Sequence, residues 1–351
     1  MRSSRVIALS LLLTSCWATS ARAQQQAQGF ALERLYGSAP GGGWVVMDDL
    51  DMRGGLGGAL ALSSGYAYKP LVIDDGSQHV AVVRHQAFAD IGAAITFDRY
   101  RVYFNLSSPL AISGESGTVA GSAFTAPSID AAKPPDLISD ARIGYDVRLV
   151  GEAKSPFRLG VGAQLILPNG RREDYVTDDT YRAMVRLLWA GNVDWLTYAG
   201  HVGVHVRSLD ESPTPDSPRG GEVLFGIAAG PRFPVGATGH TVVVIGPEIY
   251  GESAFQGFAR AKTTGVEALL TGRIEGIGDD GAQGRFKIAA GAGLHPDFGA
   301  PELRFVLGVE LFDHHADRDG DGVSDSKDAC PDTAGMKTGD PKTNGCPPAI
   351  E

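Results

Sequence analysis

"ARIGYDVRLV" (141–150), followed within a few residues by "PFRLGVGAQLIL" (156–167), is the stretch whose reading decides the fold. In the first segment Ile143, Tyr145, Val147 and Leu149 alternate with Arg142, Asp146 and Arg148. In the second, Phe157, Leu159, Val161 and Leu165 alternate with Arg158, Gly160 and Gln164. A side-chain period of two is the signature of a strand with unlike faces. The apolar face carries almost no charge across both segments, while the other face is rich in arginine.

Outward from this pair the pattern repeats along most of the chain. It is present in "LGGALALSSGYAY" (56–68), "RVYFNLSSPL" (101–110), "YRAMVRLLW" (181–189) and "LTYAGHVGVHVR" (196–207). It returns in "VEALLTGRI" (266–274), "GRFKIAAGAGL" (284–294) and "LRFVLGVELF" (303–312). With 85–97, 222–232 and 240–251 this makes about twelve strands, each near the ~10 residues that cross a bilayer when tilted. Tight connections at Asp98-Arg99, 151–155 and "GNVD" (191–194) alternate with longer polar ones at 74–84, 111–138, 168–179 and 208–221. Short turns at one end and long loops at the other suit an all-β, transmembrane antiparallel barrel. An even strand count returns the chain to the side it left, which places the C-terminal tail in the periplasm with the N-terminus. The 111–138 connection, with "GESGTVAGS" and "AAKPPD", is expected to face outward. Arg142, Asp146, Arg148, Arg182, Arg186, Glu267, Arg273, Arg304 and Glu310 are expected to line a narrow lumen and brace it, because confined charges must be paired or wet. A soluble periplasmic sandwich or barrel also alternates and stands as the competing reading.

Composition agrees with export. The 351 residues are 43% hydrophobic and 21% charged, with 47 glycines and a net charge of −10, which argues against nucleic acid as a partner. Arg2 and Arg5, the apolar "VIALSLLL" and the small residues of "SARA" before Gln24 form a signal peptide over 1–23. "LTSC" offers a lipoprotein alternative at Cys16. No other apolar run approaches the about 20 residues of a membrane helix. Cys330 and Cys346 remain in an oxidising compartment and are expected to form a disulfide. The expected order is therefore the signal, an N-terminal periplasmic segment (24–53), a barrel (54–312) and a small irregular tail (313–351).

"GGWVVMDDLDMRG", "YAYKPLV", "DARIGYDVRLVGE", "LPNGRREDY" and "GPEIYG" resemble the N-terminal barrel of OmpA-type outer-membrane proteins in predatory and social Gram-negative bacteria. The resemblance spans most of residues 30–312 and implies an outer-membrane location with lipid as the surrounding partner. In that family an acidic linker leads into a peptidoglycan-binding domain. Here "GCPPAIE" closes the sequence at Glu351, so wall anchoring is not carried over.

The tail "DRDGDGVSDSKDACPD" (317–332) resembles a thrombospondin type 3 repeat, which implies calcium. Calcium takes six to eight hard oxygens, and loops that supply them use positions 1, 3, 5, 7, 9 and 12. From Asp317 these are Asp317, Asp319, Asp321, the Val323 carbonyl, Asp325 and Asp328, with Gly322 at the sharp turn. Asp328 stands where a helix-loop-helix site has Glu, and no amphipathic helices flank the loop. A Cys330–Cys346 bond would add about 3 kcal/mol by the loop-entropy estimate. His201 and His205, about 13 Å apart along a strand, cannot share an ion with each other and read as lumen polar groups. His314 and His315 read as hinge residues. No Ser-His-Asp set can be assembled, so a non-enzymatic role is expected. Three functions remain open: a structural or pore-forming barrel with a calcium-binding tail, a calcium-dependent adhesion protein with a periplasmic or cell-surface partner, and an outer-membrane enzyme.

Overall fold

The computed structural model describes residues 25–348 except 53–55, 130–136, 154, 210–217, 219, 236–240, 278–281, 296–298, 315–318, 320, 322 and 324–326. The expected signal peptide lies outside the described residues. Among the described residues fifteen strands follow one another: β1 (Gln25–Gln26), β2 (Leu56–Asp74), β3 (His79–Phe97), β4 (Tyr100–Ser113), β5 (Gly117–Val119), β6 (Ser122–Phe124), β7 (Ala141–Val150) and β8 (Arg158–Leu167). Then come β9 (Arg182–Val193), β10 (Leu196–Arg207), β11 (Glu222–Val235), β12 (Thr241–Ala254), β13 (Thr264–Ile277), β14 (Ala282–His295) and β15 (Leu303–His314).

Twelve of these close into one antiparallel barrel, in which each strand pairs with its neighbours in the chain and β15 pairs with β2. Closure leaves no wall strand with a free edge. The register sets Leu303 opposite Tyr68 and His314 opposite Gly57, so the barrel starts and finishes at the end that carries the tight turns. Asp98 and Asp194 take positive φ at two of those turns (53° and 47°), a conformation short polar residues tolerate.

The two faces of the wall are inverted relative to a water-soluble protein. Leu60, Ile91, Ile95, Leu270 and Leu311 point outward and are each more than 60% exposed. Arg101, Asp146, Arg158, Arg182, Glu248, Arg304 and Glu310 point inward and are buried. Phe97, Tyr100, Phe157, Trp195 and Phe233, all exposed, stand at or next to the strand ends beside the tight turns, and exposed Tyr145 lies further along β7. Tyr100 and Tyr145 stack there with ring centroids 6.4 Å apart.

Two connections differ from the sequence reading. β2 and β3 run on to Asp74 and His79, which leaves only 75–78 of the expected 74–84 loop. Asp75 caps that turn: its carboxylate accepts from the Ser77 hydroxyl and from the amides of Ser77, Gln78 and Ala120. These bonds hold it well below the usual carboxylate range. The 111–138 connection, read as free of strands, contains the β5–β6 hairpin, and β1 adds to it in parallel.

The larger correction concerns residues 24–53. Residues 29–52 lie inside the barrel rather than outside it: Leu32, Trp44, Met47, Leu50 and Met52 are at most 1% exposed. The segment enters at the long-loop end, where the Ala27 amide donates to Ala123 and the Leu32 amide to Tyr175. It leaves at the tight-turn end, where Arg148 donates to the carbonyls of Leu50 and Met52 just ahead of β2. An apolar core forms around it: Leu35, Trp44, Val45, Val46 and Met47 pack on small wall residues such as Ala190, Ala199, Ala228 and Ala289. At Gly226 even a Cβ would lie 2.3 Å from the Met47 terminal carbon, so a larger wall residue there would push the Met47 side chain aside.

Candidate functional site

The filled lumen is where the inward charges converge, and the threaded segment adds pairings to those the wall makes with itself. Among the expected lumen residues, Asp146 is held by Arg101 at 2.6 Å, with Arg186 at 3.8 Å. Glu267 pairs with Arg304 at 2.7 Å, and Glu310 with Lys287 and Arg285 at 2.6 and 2.7 Å. Arg182 reaches Asp140 at 2.7 Å, and Arg273 reaches Glu275 at 2.7 Å. All nine expected lumen residues face inward and are buried. Pairs between wall strands therefore brace the lumen, and the segment adds further ones. Arg304 also binds Glu33 at 2.9 Å, Arg101 binds Asp48 at 2.5 Å, and Arg182 donates to the Tyr36 hydroxyl. Arg142 donates to the Gly37 carbonyl, Arg158 to that of Asp49, and Lys287 to that of Trp44. Arg273 lies over the Trp44 ring, 5.0 Å from its centroid.

Glu248, which the sequence reading missed, holds the middle of the segment. Gly41 and Gly43 take positive φ (80° and 99°), which L side chains rarely adopt, and turn the chain there. The following amides of Val45, Val46 and Met47 converge on the Glu248 carboxylate at 2.9, 2.9 and 3.1 Å. The Thr271 hydroxyl adds a fourth bond at 2.6 Å. A second clasp sits at the long-loop end, in the connection before β9. Asp178 accepts from the Ala31 amide at 2.8 Å and from Arg207 at 2.7 and 2.8 Å. Burial alone would raise its pKa, but Arg207, Arg182 and the Ala31 amide outweigh it and hold the carboxyl at about 2.

A cavity of about 90 Å³ lies between the segment and β2–β4, lined by Ser38, Val45, Gln86, Asp90, Asn105 and Arg142 among others. That is room for a few waters, not for a passing solute.

In the tail, carboxylate oxygens of Asp319, Asp321 and Asp328 lie within 4.8 Å of one another. Val323 is buried, and its amide donates to Asp321 at 2.8 Å. Asp317 and Asp325 lie outside the described residues. The Gly335 amide also donates to Asp321, and the Cys330 amide to Asp328. Cys330 and Cys346 are joined. Three hard-oxygen donors in this arrangement suit a calcium ion, with backbone oxygens and water needed to complete it.

No family model and no curated protein matches this chain. Solved structures with a similar chain path include an outer membrane channel from Pseudomonas putida F1 (12% identity, 75% of this chain and 97% of that one, TM-score 0.48). Another is the translocator domain of the autotransporter NalP from Neisseria meningitidis (9% identity, 76% and 90%, TM-score 0.41).

Proposed function

We propose that this protein is an outer-membrane barrel whose pore is kept shut by its own N-terminal segment, with a calcium-binding tail on the periplasmic side. The observation that carries the reading is the inverted wall around a filled lumen: an apolar outside, and a charged inside that is paired within the wall and with residues 29–52. Apolar side chains exposed all round a closed barrel are stable in lipid and an aggregation hazard in water. The aromatic residues beside the tight turns suit one of the girdles that mark a membrane interface. With the tight turns periplasmic, β15 delivers the tail to the periplasm and the threaded segment displays residues 25–28 at the cell surface. The role is structural when shut and pore-forming when the segment leaves.

Planar-bilayer recording tests this. The intact chain should insert without a steady open channel, and weakening the hold on the segment should produce openings. A large, steady conductance from the intact chain would refute the closed-lumen reading.

A further inference from the structure

One cluster in the lumen holds Arg34 and Tyr36 of the segment and still keeps several polar atoms without hydrogen bonds. His205 on β10 faces Glu222 on β11 in direct register, and Glu252 on β12 lies two residues from Ala254, the register partner of Glu222. All three point inward near the long-loop end, and His205 is wholly buried. Its Nδ1 lies 3.3 Å from Glu222 Oε2 and 3.5 Å from Glu252 Oε2. Yet neither ring nitrogen makes a hydrogen bond among the described residues, and the same holds for Glu222 Oε2 and both oxygens of Glu252. These atoms face one another and Arg34 at ion-pair distance, and a further partner that served several of them at once would lower the cost of burying them.

We propose that His205, Glu222 and Glu252 form a site for a divalent transition-metal ion with the preferences of zinc, which competes with Arg34 of the threaded segment for Glu252. Zinc takes imidazole nitrogen and carboxylate oxygen at about 2.0–2.2 Å in a tetrahedron. Such a tetrahedron has edges of roughly 3.3–3.5 Å, and the two nitrogen–oxygen separations here are 3.3 and 3.5 Å. The three donor atoms all lie within 4.8 Å of one another, so a small inward movement of the carboxylates encloses the ion. Water supplies the fourth ligand, as in other three-residue zinc sites. Glu252 lines a small cavity of about 20 Å³ together with Arg34, Tyr36 and His201, which leaves room beside the carboxylate for a water. The ligand set is borderline in softness, which favours zinc or cobalt over calcium and magnesium.

Competition follows from geometry. Arg34 Nε stands 3.4 Å from Glu252 Oε2, the oxygen the metal would take, and Arg34 Nη2 stands 3.2 Å from Glu222 Oε1. A divalent ion on these carboxylates repels the guanidinium and takes its counter-charge. Metal occupancy and retention of the segment near Arg34 are therefore coupled negatively, and by linkage reciprocally.

The test uses the full chain, folded in detergent and stripped with chelator. Zinc is titrated in excess calcium, which saturates hard-oxygen sites in the tail, and cobalt is used as a spectroscopic probe. The expected result is one zinc per chain, with cobalt giving the intense visible absorption of a tetrahedral site. His205→Gln should weaken zinc at least about 100-fold, more than removal of outer partners of a metal site does. Glu252→Gln, nearly isosteric, should do the same and serves if the histidine variant does not fold. Arg34→Gln should bind zinc more tightly than the unaltered chain. Absence of zinc uptake by the unaltered chain, or uptake unchanged in folded His205→Gln or Glu252→Gln chains, would overturn the site. Weaker or unchanged zinc binding by Arg34→Gln would overturn the competition.

Discussion

Replacing Glu248 with alanine should release the middle of the threaded segment while leaving the wall intact. Its carboxylate accepts three backbone amides and one hydroxyl inside the barrel, and the side chain is fully buried. Alanine leaves the amides of Val45, Val46 and Met47 without an acceptor, at about 1–3 kcal/mol for each buried donor. Water entering the vacated space recovers part of that loss, so a net cost of roughly 3–5 kcal/mol is expected. Glutamine is the sharper comparison. Its single carbonyl can serve the Val46 and Met47 amides, but its NH2 then points at the Val45 amide, a donor against a donor, for about 1–3 kcal/mol. The assay is amide hydrogen exchange on the folded barrel in detergent. Protection of residues 45–47 should fall by about two to four orders of magnitude in Glu248→Ala and by less in Glu248→Gln. Amides of β12 and β13, whose ladder is untouched, should keep theirs. Unchanged exchange at 45–47 in Glu248→Ala would refute the reasoning, because no other acceptor for those three amides is in place.

Two further outcomes follow from the clasp and the tail. Asp178 has a folded pKa of about 2, below the ~3.9 of an unfolded aspartate; a depressed value means its stabilisation is present above about pH 4 and is lost as pH falls toward 2. Protection of Ala31 and Leu32, taken relative to the intrinsic exchange rate at each pH, should therefore fall between pH 4 and 2 by on the order of 2 kcal/mol, and Asp178→Asn should abolish that pH dependence. In the tail, calcium should slow limited proteolysis of residues 319–348 relative to chelator, and Asp321→Ala should reduce the protection more than Asp332→Ala; equal cutting with and without calcium would leave the aspartates as a solvated linker.

The barrel was legible because its signal is local and repeated. Arg142, Asp146 and Arg148 on one face of ten residues, against Ile143 and Tyr145 on the other, fix which side of β7 is wet before any partner is known. Turn spacing then gives strand order, since neighbours in the chain are neighbours in the wall. The pairing of Cys330 with Cys346 was legible by elimination. The threaded segment was not, because residues 29–52 carry no period and their partners come from all round the wall. Arg148, Arg158, Glu248, Arg273 and Arg304 lie far apart in sequence and meet only on closure. A signal was nonetheless present. The strands turn more arginine than acid inward, and the stretch before them holds Glu33, Asp48, Asp49 and Asp51 beside a dense apolar run. The His205 cluster escaped notice for a related reason: spacing along one strand excluded a site shared with His201, whereas the donors that meet His205 come from the next two strands.

The threading claim is tested most directly by thiol labelling on intact cells. Gln28 is exposed at the long-loop end and Glu152 is exposed at a tight turn on the opposite end, so Gln28→Cys and Glu152→Cys sample the two sides of the membrane. A membrane-impermeant maleimide should label Gln28→Cys on intact cells and Glu152→Cys only after the outer membrane is permeabilised. Labelling of Gln28→Cys only after permeabilisation, alongside Glu152→Cys, would mean that the N-terminal segment does not cross the barrel.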